Sequence, residues 1–553
     1  MKTVLRSGLI LFALACVIPA SAAEITELKA LHPQTELVVG GEARCLIVVP
    51  DDAELRAQAE ALASALPAAP EIVLDTALVS PLWEVDLEAV AGRNLIALGN
   101  INTNRMLAML YGETYVVADS IFPGPDGYVI RTVHDPWAAG INVLALAGSD
   151  TEGVARAVTV FREKYLPDAG DVVLPQPIVD VEFSPVEHRF FPSVDHWLSS
   201  KRQPQFSTMD YFRQLFEKSG LVDADGNVLR REDGTMMTVI GSIGRIAQTW
   251  FWNGDPALPP LMKQIVDANR HLLANVPERI EMEGSASGQM HWWDVVEELP
   301  VWTDEDRLAI INAFYADAKQ GYERRAANSM VKEGYVQVVD ENHGTNSALN
   351  TYNAWRYFEK YYDLPETEYW MSVARAVYAG QCASHQTLED ACGYLAYAPA
   401  DAMEMGLRDH DLRYFTLGIA RTQAEFIANC CVNNLGLCTG FGDSSGLVSP
   451  GTFQTVVPAA WYYRDPRLWW VARNAFHVNC GLRVYQIAMP FDLDIEPREP
   501  VEWTGMSLFP IWQQTLRKGE GSREFITDPR EPIGDEWFNK IVFRERCSAP
   551  PQL

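Results

Sequence analysis

Short apolar runs rich in β-branched residues punctuate the first part of the chain. They are Cys45-Leu46-Ile47-Val48-Val49, Glu71-Ile72-Val73-Leu74, Asn94-Leu95-Ile96-Ala97-Leu98, Tyr128-Val129-Ile130 and Asn142-Val143-Leu144-Ala145-Leu146. Runs of this length and composition read as strands. The stretch 51–66 between the first two is rich in Ala, Glu and Leu and carries helical periodicity. A second helix, 153–165, follows a strand end through Gly148-Ser149-Asp150-Thr151-Glu152, with Ser149 or Asp150 placed as its N-cap. The alternation predicts an α/β domain over 24–175. The strand-to-helix junction lacks the glycine spacing of a nucleotide site, so capping is the simpler reading.

Pro167, Pro175, Pro177 and Pro185 mark a linker, placed at 176–204. From 205 to 490 the pattern changes to long amphipathic helices with short loops. The expected spans are 208–219, 259–273, 287–298, 304–330, 347–362, 367–385, 407–429, 452–463 and 466–480. Start signals such as Thr303-Asp304-Glu305-Asp306 support several of them. Helices in paired order predict an (α/α) toroid of helical hairpins, and the absence of a strict repeat argues against a solenoid. The predicted class is therefore multidomain, α/β followed by all-α. Residues 491–553, rich in Pro and Trp, read as an irregular tail packed on the toroid.

Charge and termini narrow the setting. Lys2 and Arg6, an apolar core over 9–15 and Ala20-Ser21-Ala22 have the form of a secretory signal over 1–23, which predicts a secreted or periplasmic protein. No later apolar run approaches membrane-spanning length. A formal net charge of −28 repels nucleic acid and anionic membranes, so neither is an expected partner. It also disfavours a densely sulfated polyanion unless a local Arg/Lys patch offsets the field. The cysteines number nine, one of them inside the signal, which leaves an even set for an oxidising compartment. Cys382 with Cys392, and Cys431 with Cys438, are near enough to close short loops. No cofactor is implied, no metal-ligand spacing is present, and metal assistance stays open.

Four stretches carry candidate chemistry. Glu341-Asn342-His343-Gly344-Thr345-Asn346 precedes the aromatic positions Tyr352, Trp355, Tyr357, Phe358, Tyr361 and Tyr362. An amide that donates to a carboxylate beside an imidazole that moves a proton suits proton abstraction next to a carboxyl group. Asn350, Asn353, Trp355 and Arg356 on the following helix resemble a sugar-binding wall. In the second stretch, from His385 to Tyr397, Glu389, Tyr394 and Tyr397 lie around Gly393. Tyr397, or Tyr394, could serve as acid or base with Arg408 or Arg413 lowering its pKa. The third, Thr439-Gly440-Phe441-Gly442-Asp443-Ser444-Ser445-Gly446, could bring Asp443 to a cleft floor or be a plain turn. The fourth, Gln289-Met290-His291-Trp292-Trp293-Asp294, offers Trp292 and Trp293 for stacking on a sugar, or as core. Asp223-Ala224-Asp225-Gly226-Asn227 lacks the later Glu of a calcium loop and reads as a turn.

Asn342-His343-Gly344-Thr345 resembles the Asn-His-Gly-Thr segment of alginate lyases, and Phe441-Gly442-Asp443-Ser444 resembles the Gly-Asp-Ser loop of heparinase II/III-like lyases. The resemblance covers 205–490 and implies an α/α toroid that cleaves a uronate polysaccharide or oligosaccharide by β-elimination. By carry-over, Asn342 would neutralise the uronate carboxylate, His343 would take or help take the C5 proton, and Tyr397 would protonate the leaving O4. The chain departs from these families in two ways. It ends before a large C-terminal β-sandwich, and it has Asn346 where alginate lyases place an aromatic.

Two other readings remain. One is a glycoside hydrolase on the same toroid, with acid and base drawn from Asp294, Glu297, Glu341, Glu389 or Asp443. The other is a non-catalytic glycan-binding protein that uses the Trp/Tyr cleft alone.

Overall fold

Runs of continuously buried residues build the centre of the N-terminal half. The computed structural model describes residues 25–119, 122–167, 169–184, 221–223, 225, 227–275, 289–321, 331–332, 335–336, 342–383, 397–426, 450–476, 495–498, 523–525 and 545–547. For 321, 331–332, 335–336, 342–344, 346–351, 397, 426, 450–454, 472–476, 523–525 and 545–547 it describes the backbone alone. The N-terminal elements are β1 (Thr35–Val39), β2 (Glu42–Ala43), β3 (Cys45–Val49), α1 (Ala53–Ala65), β4 (Glu71–Leu74), α2 (Asp75–Leu78), β5 (Asn94–Gly99), α3 (Arg105–Gly112), β6 (Tyr128–Val133), β7 (Val143–Gly148), α4 (Thr151–Tyr165), β8 (Val172–Leu174) and β9 (Val179–Glu182).

Six strands form a mixed sheet in the order β4-β3-β5-β7-β6-β9. The first four are parallel, β6 runs antiparallel to β7, and β9 runs antiparallel to β6. β3 and β7 are buried along their whole length, the pattern of parallel strands covered on both faces. The five expected strands and both expected helices are thus present. β9 is a correction: it lies inside the stretch read as linker and pairs with the sheet edge. β1, β2 and β8 make a separate antiparallel sheet.

Side chains alternate across the sheet. Ile47, Val49, Ile96, Leu98, Leu144 and Leu146 pack with Leu55, Leu62, Val154 and Phe161 of α1 and α4. On the opposite face Leu46, Val48, Leu95, Ala97 and Ala145 join α3 in a core that continues into the C-terminal helices, reaching Trp293, Trp355 and Trp469. Asp52 Oδ1 caps α1 by accepting from Leu55 N–H at 2.9 Å, and Asp150 Oδ1 caps α4 by accepting from Gly153 N–H at 2.8 Å. A Cβ on Gly153 would stand 2.2 Å from the Gly127 carbonyl oxygen. The glycines of that junction therefore serve close packing and capping.

The remaining helices are α5 (Met236–Asn253), α6 (Leu258–Asn269), α7 (Met290–Val296), α8 (Asp304–Gly321), α9 (Asn342–Tyr361), α10 (Thr367–Ala383), α11 (Tyr397–Arg408), α12 (Arg413–Thr416), α13 (Ile419–Phe426), α14 (Pro450–Tyr463) and α15 (Pro466–Phe476). The consecutive pairs α5–α6, α9–α10 and α14–α15 pack together, and α11 packs on α9 and α14. An α/β sheet followed by paired helices is therefore the architecture. No helix of the described residues is long and apolar enough to cross a membrane.

α5 was not expected. Its buried face (Val239, Ile240, Ile243, Ile246, Ala247, Trp250 and Phe251) is interrupted by Ser242, Gly244 and Thr249, and the stripe Thr238, Gly241, Arg245 and Gln248 is less buried, so poor helix formers mask the pattern in the sequence. Arg131 of β6 ties this helix to the sheet. Its Nη2 donates to the Phe251 carbonyl in the last turn of α5, and its guanidinium sits 3.9 Å from the Phe251 ring centre. Burial pushes the Arg131 pKa down to about 9.

The helix expected over 407–429 is also corrected. α11 ends at Arg408, His410 takes a left-handed φ of 54°, and Asp411 N–H returns to the Gly406 carbonyl at 2.9 Å. This is a Schellman end with histidine in the position that glycine usually fills. Cys45 and Cys382 are free buried thiols, so the suggested Cys382–Cys392 closure is not formed. In the expected tail, 523–525 and 545–547 pair antiparallel. The signal, the helix at 208–219, and Cys392, Cys431 and Cys438 lie outside the described residues.

Candidate functional site

α9 carries the Asn-His motif at its start and the aromatic positions further along. Tyr352, Trp355 and Phe358 turn into the core, where Trp355 meets Trp370 at 6.3 Å and Phe358 meets Tyr315 at 5.6 Å between ring centres. Asn353, Arg356 and Lys360 follow at helical spacing and contact α11, the loop after α3, and α7. Asn342 shares that face by register, three turns and about 16 Å ahead of Asn353. The first turn is anchored, because Thr345 is buried and its Oγ1 accepts from Gln381 Nε2 of α10 at 3.1 Å.

The sheet half and the helices meet in a sealed polar seam. Lys29 Nζ lies 3.3 Å from Glu297 Oε2, 3.6 Å from Asp294 Oδ1 and 3.7 Å from Glu298 Oε1, and 3.8 Å from the centre of the Tyr361 ring. Burial opposes its charge, but Glu297, Asp294 and Glu298 outweigh that and hold the ammonium pKa above its ordinary value. Asp294 also accepts from Tyr115 OH at 2.6 Å and faces Lys360 at 3.7 Å. Burial works against the Asp294 carboxylate, yet Lys360 and Lys29 keep its pKa well below the usual range. Glu297 accepts from Tyr357 OH at 2.5 Å and from Arg307 Nη2 at 3.0 Å. Burial pulls Lys360 down to about 8 against the attraction of Asp294.

Glu298 is a carboxyl of this seam whose pKa is brought near neutrality. Burial raises its carboxyl from 4.5 to about 7, with Lys29 pulling the other way. The folded chain thus holds this proton more tightly than the unfolded chain, and stability falls as pH rises between those two values. Glu298→Gln is expected to flatten that dependence and to stabilise the fold at pH 8, on the order of 2 kcal/mol. Urea midpoints of both proteins at pH 5 and pH 8 measure it, and parallel pH dependences would contradict it.

Several expected site residues have other surroundings. Trp293 and Trp355 are fully buried and Trp292 nearly so, against Trp302, Trp370 and Phe251 respectively. All three rings pack in the core and none lines a sugar groove, since an adjacent Trp pair on one short helix is buried from both sides. Trp293→Ala is expected to cost about 3–5 kcal/mol of stability by opening a cavity. An unchanged denaturation midpoint with weakened glycan binding would return that ring to the ligand. Asp294 and Glu297 are closed inside ion pairs, with 8% and 0% of their side chains exposed.

Arg356 pairs with Glu113, and Arg408 is buried with partners Asn353, Glu404 at 3.0 Å and Thr114 Oγ1 at 3.4 Å. Arg413 is exposed, paired with Asp411, and its guanidinium lies 5.8 Å from the centre of the Tyr378 ring. For Asn342, His343 and Tyr397 the backbone places two helix starts, and their side chains lie outside the described residues. Tyr394, His385, Glu389, Asp443 and Glu341 lie outside them altogether. The structure adds Lys29, Glu113, Tyr115, Lys360 and His410, none of which has a local sequence signal beyond the Asp409-His410-Asp411 turn.

Comparison with protein-family models matches none of them to this chain, and a search of curated proteins likewise finds no match.

Proposed function

We propose that the chain is a secreted lyase that cleaves uronate-containing glycans by β-elimination, its helices closing into an α/α toroid. The observation that carries this reading is the placement of Asn342-His343 in the first turn of a 20-residue helix that is fixed on both sides. The N–H groups at a helix start and the helix dipole favour a carboxylate there. Asn342 adds a donor to the uronate carboxylate where charge builds as the C5 proton leaves. His343 accepts that proton, the electron pair forms the C4–C5 double bond, and the C4–O4 bond breaks. Tyr397, which opens a helix packed on α9, returns a proton to O4, with Tyr394 as the alternative donor.

The hydrolase reading loses ground on one point. A carboxyl acid–base pair must reach substrate and water, whereas Asp294 and Glu297 are enclosed with Lys29 and Arg307. One panel separates the readings. Purified protein is incubated with uronate polymers and with neutral glycans while ultraviolet absorbance and reducing ends are followed together. Elimination raises both signals, whereas hydrolysis raises reducing ends alone. Retention of glycan with neither signal indicates a binding protein, and either of the last two outcomes would overturn the lyase reading.

A further inference from the structure

The elimination scheme leaves one polar group at the junction unused. Glu113, at the end of α3, is fully buried with its two carboxylate oxygens divided. Oε1 pairs with His410 Nε2 at 2.8 Å and Oε2 accepts from Arg356 Nη2. Burial opposes its ionised form, yet Arg356 and His410 hold its carboxyl down to about 2. A carboxylate accepts, so the Nε2 that faces Glu113 is the donor, and Nδ1 is the ring nitrogen Glu113 does not engage. His410 and Arg356 are 22% and 19% exposed. Neither Nδ1 nor the remaining guanidinium nitrogens have a partner among the described residues, and none of these atoms is sealed from solvent.

Backbone strain converges on the same spot. Trp83, Thr114 and His410 all take left-handed φ values, 63°, 67° and 54°. The Trp83 ring meets His410 edge-on at 6.1 Å and fills space that a Cβ on Gly112 would occupy. Strain of this kind concentrates at ligand sites. A glycine at position 410 would end α11 without it, so the imidazole has a use that capping does not explain.

We propose that Arg356 and His410, both oriented by Glu113, form a carboxylate-binding subsite for a uronate unit at the junction of sheet and helices. The remaining N–H groups of a planar guanidinium match a carboxylate, and the imidazole adds a donor once protonated. Lys360 and Arg408 stand nearby, the local cations that an anionic ligand needs on a chain of net charge −28. Arg356 shares a face of α9 with Asn342 at about 21 Å, a separation suited to a polymer several sugars long. The identity of the ligand rests on the lyase reading; the site itself is tested without turnover.

Diethyl pyrocarbonate acylates accessible imidazoles, and peptide mass spectrometry of the full chain follows His410. With saturating glucuronate the modification of His410 is expected to slow about tenfold, the scale of a charge-assisted contact, whereas glucose should leave it unchanged. No protection by glucuronate, or equal protection by glucose, would overturn the proposal. His410→Gln keeps a donor for Glu113 and removes Nδ1. It is expected to weaken glucuronate binding by calorimetry at an unchanged thermal midpoint, and unaltered binding would also overturn it. A failed lyase reading shows instead as intact polymer with the wild-type chain, whatever His410 does.

Discussion

Replacing Lys29 with methionine is expected to lower stability by about 3–5 kcal/mol, because three carboxylates lose the one ammonium they share. Lys29 is buried between the sheet half and α7, with Asp294, Glu297 and Glu298 all within 4 Å of its nitrogen. Methionine keeps most of the stem that lies on Tyr361, so the loss reports charge more than packing. Glu298 can relieve part of it by taking a proton, whereas Asp294 and Glu297 keep Lys360 and Arg307 as incomplete substitutes. The folded-state pKa of Lys29 is raised, so its contribution is fully present below the ordinary lysine value and is lost only as pH rises through the folded one. Adding Glu297→Gln to the methionine variant should recover part of the loss. Urea denaturation at pH 7 measures both, and a midpoint unchanged by Lys29→Met would show that water, not Lys29, compensates the carboxylates.

The sheet was readable because its strands are apolar on both faces and its helices begin at side chains that cap them, Asp52 and Asp150. The aromatic face of α9 was readable from its helical spacing, whereas its start, expected at 347, lies at Asn342. α5 was not readable, since Gly241, Gly244, Ser242 and Thr249 interrupt its apolar run and weaken its helical signal. The Trp292-Trp293 pair misled because tryptophan suits both a core and a sugar face, and only burial decides. The polar seam was out of reach for a different reason. Glu113 finds Arg356 and His410 at sequence separations of 243 and 297, and no local pattern encodes a pair formed across two halves of a chain. Its members are legible only once α3, α7, α9 and α11 are in place.

The second large effect concerns Asn342 and His343. Stabilising a developing carboxylate dianion calls for a donor positioned before the proton leaves, and removing one such donor typically costs about 10²–10³ in rate. Removing the group that takes the proton costs about 10²–10⁴. Both residues open α9, and among the described residues Thr345, Arg356 and Lys360 hold that helix on its neighbours.

The most direct measurement is therefore the rate of unsaturated uronate formation by Asn342→Ala and His343→Ala on a polymer that the wild-type chain cleaves, with urea midpoints recorded alongside. The expected result is a loss of at least about 10²-fold for each variant at an unchanged midpoint. Near-wild-type elimination by both variants would contradict the assignment of the chemistry to this pair.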